Sequence, residues 1–171
     1  MREQRKVVTV LFCDLVGSTA LGESTDPEAL RARMRRYFGD LRVILERHGG
    51  SVEKFAGDAV MAVFGIPTAH EDDALRAVRA ASEMQQAIAG HGLEARIGIN
   101  TGEVVVGGEG ETLVTGDAVN VAARFEQAAA SGEILIGAET RLLVRDAVRV
   151  EPVEPLEIGR ASCRERVLAC V

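Results

Sequence analysis

Two aspartates stand where strand-like runs meet turns. Asp14 closes the apolar, β-branched run Val7–Asp14, and Asp58 follows the Ala56-Gly57 turn of a short hairpin. In a split β-α-β sheet the first strand and such a hairpin are neighbours, so both carboxylates can meet at one end of the sheet. A pair of carboxylates does not saturate an octahedral magnesium ion, which keeps waters and takes further oxygens from phosphates. Two such ions roughly 3.5–4 Å apart clamp an attacking and a leaving oxygen. The chemistry in view is phosphoryl transfer. Taken singly, each aspartate is as readily a turn former or a cap; the shared geometry is what points to a cation.

Three further features bear on a phosphate ligand. The loop Leu15-Val16-Gly17-Ser18-Thr19 offers backbone N–H groups at a helix start, a weak signal because glycine-serine turns are common. Lys54 lies four residues before Asp58, and of the 20 basic residues only Lys6 and Lys54 are lysines. An ammonium surviving in so arginine-rich a chain invites a specific task, since the two cations differ in shape and hydration. Asn120 and Arg124 are four apart and share one helical face, where an amide and a guanidinium suit a ribose and a phosphate charge; by spacing alone a solvated face is the better explanation. No Gly-x4-Gly-Lys-Ser/Thr run is present, which excludes a P-loop NTPase. His48, His70 and His91 are scattered near helix ends and read as caps or surface. Cys13, Cys163 and Cys170 have no motif spacing, so neither a disulfide framework nor a zinc site follows.

The elements that must position these groups are legible in outline. Val7–Asp14 is a strand buried on both faces. Asp26-Pro27-Glu28 opens a helix with a stripe of Leu30, Met34, Phe38, Leu41 and Leu45, stopped by Gly49-Gly50. Strands are predicted over 51–55 and 58–64, and a second helix from His70-Glu71-Asp72-Asp73 to about Gly90. Residues 93–100 and 103–106 read as a strand pair turning at Thr101-Gly102, followed by a glycine-rich turn over 107–111. A third helix spans 117 to about 129. A strand over 133–136, a short helix over 138–143 and an edge strand over 148–150 complete the pattern. The order β-α-β-β-α-β predicts an α+β, ferredoxin-like fold with helices around a mixed, mostly antiparallel sheet.

The 171 residues carry 47% hydrophobic and 27% charged side chains and a net charge of −6. That is an ordinary globular composition for one domain, not a disordered or collagen-like one. The acidic balance disfavours a nucleic-acid or anionic-membrane binder. No apolar run reaches the ~18 residues of a membrane span, and the start lacks a signal-peptide pattern. A cytoplasmic protein is expected. Residues 157–171 differ from the rest: they lack a helix or strand period, hold two of the three cysteines and resemble a translated library adapter. We read residues 1–156 as the domain and 157–171 as a read-through tail, with further domains expected C-terminal in the intact protein.

Three segments then fall into place together: Phe12-Cys-Asp14-Leu-Val-Gly-Ser-Thr19, Glu53-Lys54-Phe-Ala-Gly-Asp58-Ala-Val-Met-Ala-Val-Phe64, and Thr115-Gly-Asp-Ala-Val-Asn120-Val-Ala-Ala-Arg124. Over about Val7–Leu156 the chain resembles the class III adenylate/guanylate cyclase catalytic domain. It is most similar to bacterial domains at the N-terminus of large signalling or transcription-regulator proteins. The resemblance implies conversion of ATP (or GTP) to a 3′,5′-cyclic nucleotide and pyrophosphate, with two Mg²⁺ or Mn²⁺ ions per site. It implies that Asp14 and Asp58 bind metal, with the Leu15 carbonyl as an extra ligand, and that Gly17, Ser18 and Thr19 lie along the substrate. It implies that Lys54 contacts the purine, Asn120 orients the ribose and Arg124 stabilises the phosphate in the transition state. The metal aspartates and the Asn120/Arg124 pair would come from different subunits of a head-to-tail homodimer. One position departs: Leu113, seven residues before Asn120, stands where a purine-reading Asp or Thr is common, so ATP against GTP is left open.

Overall fold

The computed structural model describes residues 3–107, 114–154 and 164–170, with backbone alone at 19, 54–56, 164, 169 and 170. In chain order these form β1 (Gln4–Leu15), α1 (Ser18–Ser24), α2 (Pro27–Arg47), β2 (Gly50–Ala56), β3 (Ala59–Phe64), α3 (Asp73–Gly90) and β4 (Ala95–Val106). They are followed by β5 (Val114–Thr115), α4 (Asp117–Ala128), β6 (Ile134–Gly137), α5 (Ala138–Val144), β7 (Val148–Pro152) and β8 (Arg164–Cys170). The strands make one sheet in the order β2-β3-β1-β4-β6-β8-β7, with β5 beside β4. All pairs described are antiparallel except β4–β6. The stretch β1-α2-β2-β3-α3-β4 is the expected ferredoxin-like unit, its strands ordered β2-β3-β1-β4.

The alternation of β1 decides which groups face which layer. Leu11, Cys13 and Leu15 point into the main core with Tyr37, Leu41 and Leu45 of α2, Ala77, Ala81, Met84 and Ile88 of α3, and Ile97 and Ile99 of β4. Val8 and Val10 point the other way, into a smaller core with Val63, Val104, Ala118 and Ala122. Asp14 keeps this second parity and therefore lies on the α4 side of the sheet. Helix α2 begins as expected, with Asp26 accepting the Ala29 N–H at 3.1 Å and Pro27 in its first turn. The histidines also fall at helix ends: His48 and His91 cap α2 and α3 and bond Glu83 at 2.8 Å and Asp40 at 2.7 Å, while His70 bonds Asp73 at 3.2 Å.

Three expectations about elements need correcting. The strand pair foreseen over 93–106 is one continuous strand, β4, paired with β1 from Leu15↔Ala95 to Gln4↔Val106. Thr101-Gly102 looked like a turn, but Gly102 is there because Ala118 of α4 sits above it: a Cβ at this position would stand 2.9 Å from the Ala118 Cβ. The seven residues of α1 have too short an apolar period to be seen in sequence. Arg164–Cys170 shows no strand period, yet it forms β8 between β6 and β7, with Arg166 paired to Glu133 and Glu151. Backbone hydrogen bonds need no side-chain alternation. The turn over 107–111 falls partly outside the described residues.

Helix α4 lies unusually close to β4. A Cβ on Gly98 would stand 2.9 Å from the Glu126 Cα and closer still to the Ala122 carbonyl oxygen, both backbone atoms. Between the two glycines Asn100 donates to the Ala118 carbonyl at 3.2 Å, so the strand's small and polar face is the bed of the helix. Gly98→Ala should therefore cost at least about 2 kcal/mol of stability by overpacking against backbone. Gly39→Ala, in exposed α2 with no atom within 4 Å of the added carbon, should raise stability by roughly 0.5–1 kcal/mol. Urea unfolding of both variants checks the pair.

Candidate active site

Asp14 and Asp58 do meet. In the sheet register Asp14 lies opposite Ala59 on one side and Arg96 on the other. Asp58 sits in the two-residue turn that joins β2 to β3, where Gly57 takes φ +62°. That turn brings Asp58 within side-chain hydrogen-bonding reach of Asp14. Burial raises the Asp14 pKa, and the charge and hydrogen bond of Asp58 push the same way; Arg96 and the Leu15 N–H pull it back in part.

Two residues that the sequence reading passed over complete this cluster. Arg96 Nη2 stands 3.5 Å from Asp14 Oδ2 and 3.3 Å from Glu126 Oε1. Glu126 is only 7% exposed. Its pKa is pushed up to about 7 by burial first, then by Asp14 and Asp58, against the pull of Arg96. Its signal was in the sequence: Ala118, Ala122 and Glu126 are spaced by four along the buried face of α4, so an acid occupies a core position. Arg96 had a weaker one, a charged residue alternating with buried Ala95 and Ile97.

The cluster suits a divalent cation. Three carboxylates face one guanidinium; Asp14 Oδ1 and Arg96 Nε are buried with no hydrogen-bond partner, and buried Glu126 Oε1 has the Arg96 ion pair at 3.3 Å. Buried polar atoms are normally satisfied, so lone oxygens beside a second carboxylate are what an oxygen-seeking ion would fill. Asp14 and Asp58 are the residues that would hold it. Among the described residues no group of three His, Cys, Asp or Glu side chains is arranged to hold a metal alone, so the remaining oxygens would come from backbone, water or ligand. Next to Asp14, Cys13 is buried with its thiol pushed up to about 12 by desolvation, and its sulfur lies 3.9 Å from the Tyr37 hydroxyl. A thiol so far from ionising is neither a metal ligand nor a nucleophile.

The other predicted site residues are spread around this centre. Leu15 is buried at the end of β1 beside Ala95. Gly17, at φ +72°, leads into α1, which Ser18 and Thr19 begin. Lys54 lies on the outer strand β2 opposite Met61. Leu113 falls outside the described residues. Asn120 and Arg124 are exposed on α4. At about 100° per residue, they lie roughly 120° and 160° around the helix from Glu126, turned away from the carboxylates of their own chain. A cleft of about 730 Å³ lies at the N-terminal end of α4 between Thr101, Thr115, Asp117, Phe125 and Glu139. Asp14, Asp58 and Glu126 do not line it; they lie on the α4 side of the sheet, Asp14 and Asp58 half-buried and Glu126 buried. No helix among the described residues is long and apolar enough to cross a membrane.

Comparison with known proteins gives the family and the fold. The family model described as the adenylate and guanylate cyclase catalytic domain matches residues 1–166. The crystal structure of the adenylyl cyclase CyaB from P. aeruginosa superposes with a TM-score of 0.95 at 32% identity, covering 100% of this chain and 98% of that one. The guanylyl cyclase Cya2 gives 0.92 at 34% identity, covering 100% and 96%. An uncharacterized protein of Mycobacterium tuberculosis is 36% identical over 151 residues, 80% of this chain and 27% of its own length. The chain thus spans about a quarter of that relative.

The raised carboxylates set the sign of a pH effect. Folded Glu126 keeps a proton that the unfolded chain releases between the ordinary 4.5 and about 7. Stability therefore falls as pH rises through that window, and the raised Asp14 acts in the same direction. Without divalent ions, Tm should drop between about pH 5 and about pH 8, and Glu126→Gln should flatten much of that drop. Thermal melts in a chelating buffer measure it.

Proposed function

The chain belongs to the adenylate and guanylate cyclase catalytic domain family, and from that premise we propose that it converts ATP to 3′,5′-cyclic AMP and pyrophosphate as a head-to-tail homodimer. GTP is the alternative substrate that Leu113 leaves open. The observation that carries the proposal is the meeting of half-buried Asp14 and Asp58 at one end of the sheet, with Asn120 and Arg124 exposed and turned away from them. Groups facing apart in one chain converge when a second copy is set against the first by a twofold axis.

In this reading the ribose 3′ oxygen attacks the α-phosphorus, the bond to the β-phosphate oxygen breaks, and the 3′ proton passes to solvent. Asp14 and Asp58, with the Leu15 carbonyl, would hold two Mg²⁺ or Mn²⁺ ions, whose charge would offset that of the triphosphate and lower the pKa of the 3′ hydroxyl. The turn Gly17-Ser18-Thr19, at the same strand end, runs beside the phosphates. The partner copy's equivalents of Lys54, Asn120 and Arg124 approach from the other side: Lys54 at the purine, Asn120 at the ribose, Arg124 at the α-phosphate. Positioning and charge neutralisation are most of what phosphoryl transfer needs, and no protein base is required. The catalytic domain of this proposal is residues 1–156. Strand β8 lies beyond that boundary and three strands from β1, so its origin does not touch the site. A second reading, a weakly catalytic nucleotide-binding module of a larger signalling protein, is favoured by Leu113 alone.

Purified protein with Mn²⁺ and either ATP or GTP should yield cyclic nucleotide by mass spectrometry. Asp58→Asn should lower the yield on the order of 10²-fold or more; binding of nucleotide with no product from the parent chain would instead support the second reading. Mixing inactive Asp14→Ala with inactive Arg124→Ala should restore about a quarter of parental activity, since half the dimers then carry one intact site of two. No recovery would rule out sites shared between copies.

A further inference from the structure

We propose that Glu126 is a positioning residue that holds Arg96 off Asp14, and so keeps the Asp14 carboxylate open to a divalent cation. The proposal rests on the assignment of Asp14 and Asp58 to the cation. Its physical basis is a competition for one guanidinium. Arg96 Nη2 is shared between two carboxylates, 3.3 Å from Glu126 and 3.5 Å from Asp14. Nη1 donates to the Gln127 carbonyl at 3.4 Å, near the C-terminal end of α4. There the helix dipole also favours a positive charge. The α4 end therefore offers the guanidinium a carboxylate and a carbonyl, and β1 offers it Asp14.

The anchor does not yield. Glu126 is carried by the stretch of α4 that rests directly on Gly98, with its backbone too close to β4 for a single added carbon. Arg96 leaves β4 two residues earlier, directly across from Asp14 in the register. Distances between the three groups are thus set by backbone. Without the Glu126 charge, Asp14 becomes the strongest partner left, and a guanidinium forms a two-pronged pair with a free carboxylate readily. That pair would occupy the oxygens a cation needs, including Asp14 Oδ1, which has no partner in the structure.

The test is binding of Mn²⁺ alone, without nucleotide, by the electron paramagnetic resonance signal of free Mn²⁺ at about pH 8. Glu126→Gln should weaken Mn²⁺ binding about tenfold, the scale of lost support behind a metal ligand. The same substitution made on top of Arg96→Gln should change binding by less than about twofold, because the competitor is gone. An equal loss in both backgrounds would mean that Glu126 acts only as a nearby charge or a structural group, and would overturn the proposal, as would no loss in either. Asp58→Asn separates the underlying assignment: if it leaves Mn²⁺ binding intact, the cation is not held where we place it. Should Glu126→Gln fail to fold by circular dichroism, Glu126→Asp carries the same test. It keeps the charge, shortens the reach to Arg96, and should weaken Mn²⁺ binding only while Arg96 is present.

Discussion

How closely α4 lies on β4 governs the rest of the site. Gly98 and Gly102 remove the side chains that would hold the helix away, and Asn100 between them takes up an α4 carbonyl. The helix is thereby lowered until Glu126 reaches the level of Arg96 and Asp14. Three carboxylates then share a small space with one guanidinium, which no chain would adopt for its own stability. Apolar burial elsewhere tolerates it: Val8, Val10, Val63, Val104, Ala118 and Ala122 seal the same side of the sheet just beyond the acids. Like charges held together raise one another's pKa, and that stored repulsion is what a cation relieves.

Much of this architecture could be read from the residues. The apolar run of β1, the Asp26-Pro27 start of α2, the hairpin around Gly57 and the capping histidines all carry local chemistry that no tertiary contact overrides. The meeting of Asp14 with Asp58 was legible for the same reason, since a turn aspartate beside a strand-end aspartate follows from the order of the elements. What was not legible depended on contacts distant in sequence. Thr101-Gly102 carries the mark of a turn, and only Ala118 lying above it shows that the glycine is there for clearance. Glu126 was hidden by its neighbours: Asn120 and Arg124 drew attention to the wet face of α4, while the acid on the dry face passed as part of an alanine-rich stripe. Arg166 could be seen as charge, but its two carboxylate partners, Glu133 just before β6 and Glu151 on β7, could not.

Family membership and geometry carry different parts of the reading. The match over residues 1–166 and the superpositions establish a nucleotide cyclase catalytic domain. They do not choose between adenine and guanine, because one of the two solved relatives is an adenylyl cyclase and the other a guanylyl cyclase. In the proposed reading the chain's own residues bear on that choice through Leu113 and Lys54, and on cation loading through Arg96 and Glu126. A site with its polar groups half satisfied before the ion arrives is tuned by such neighbours as much as by its direct ligands.

Asp14 and Asp58 belong to unequal parts of the sheet. Asp14 ends β1, which is bonded along its length to β4 on one side and to β3 on the other, whereas Asp58 rides on the tip of a hairpin whose outer strand, β2, has a neighbour on one side only. Local opening costs least at such a margin. Any change in the gap between the carboxylates would come from the hairpin, with β1 as the fixed jaw. Slow amide exchange at Asp14 and fast exchange at Gly57 would be the mark of a grip that breathes from one side.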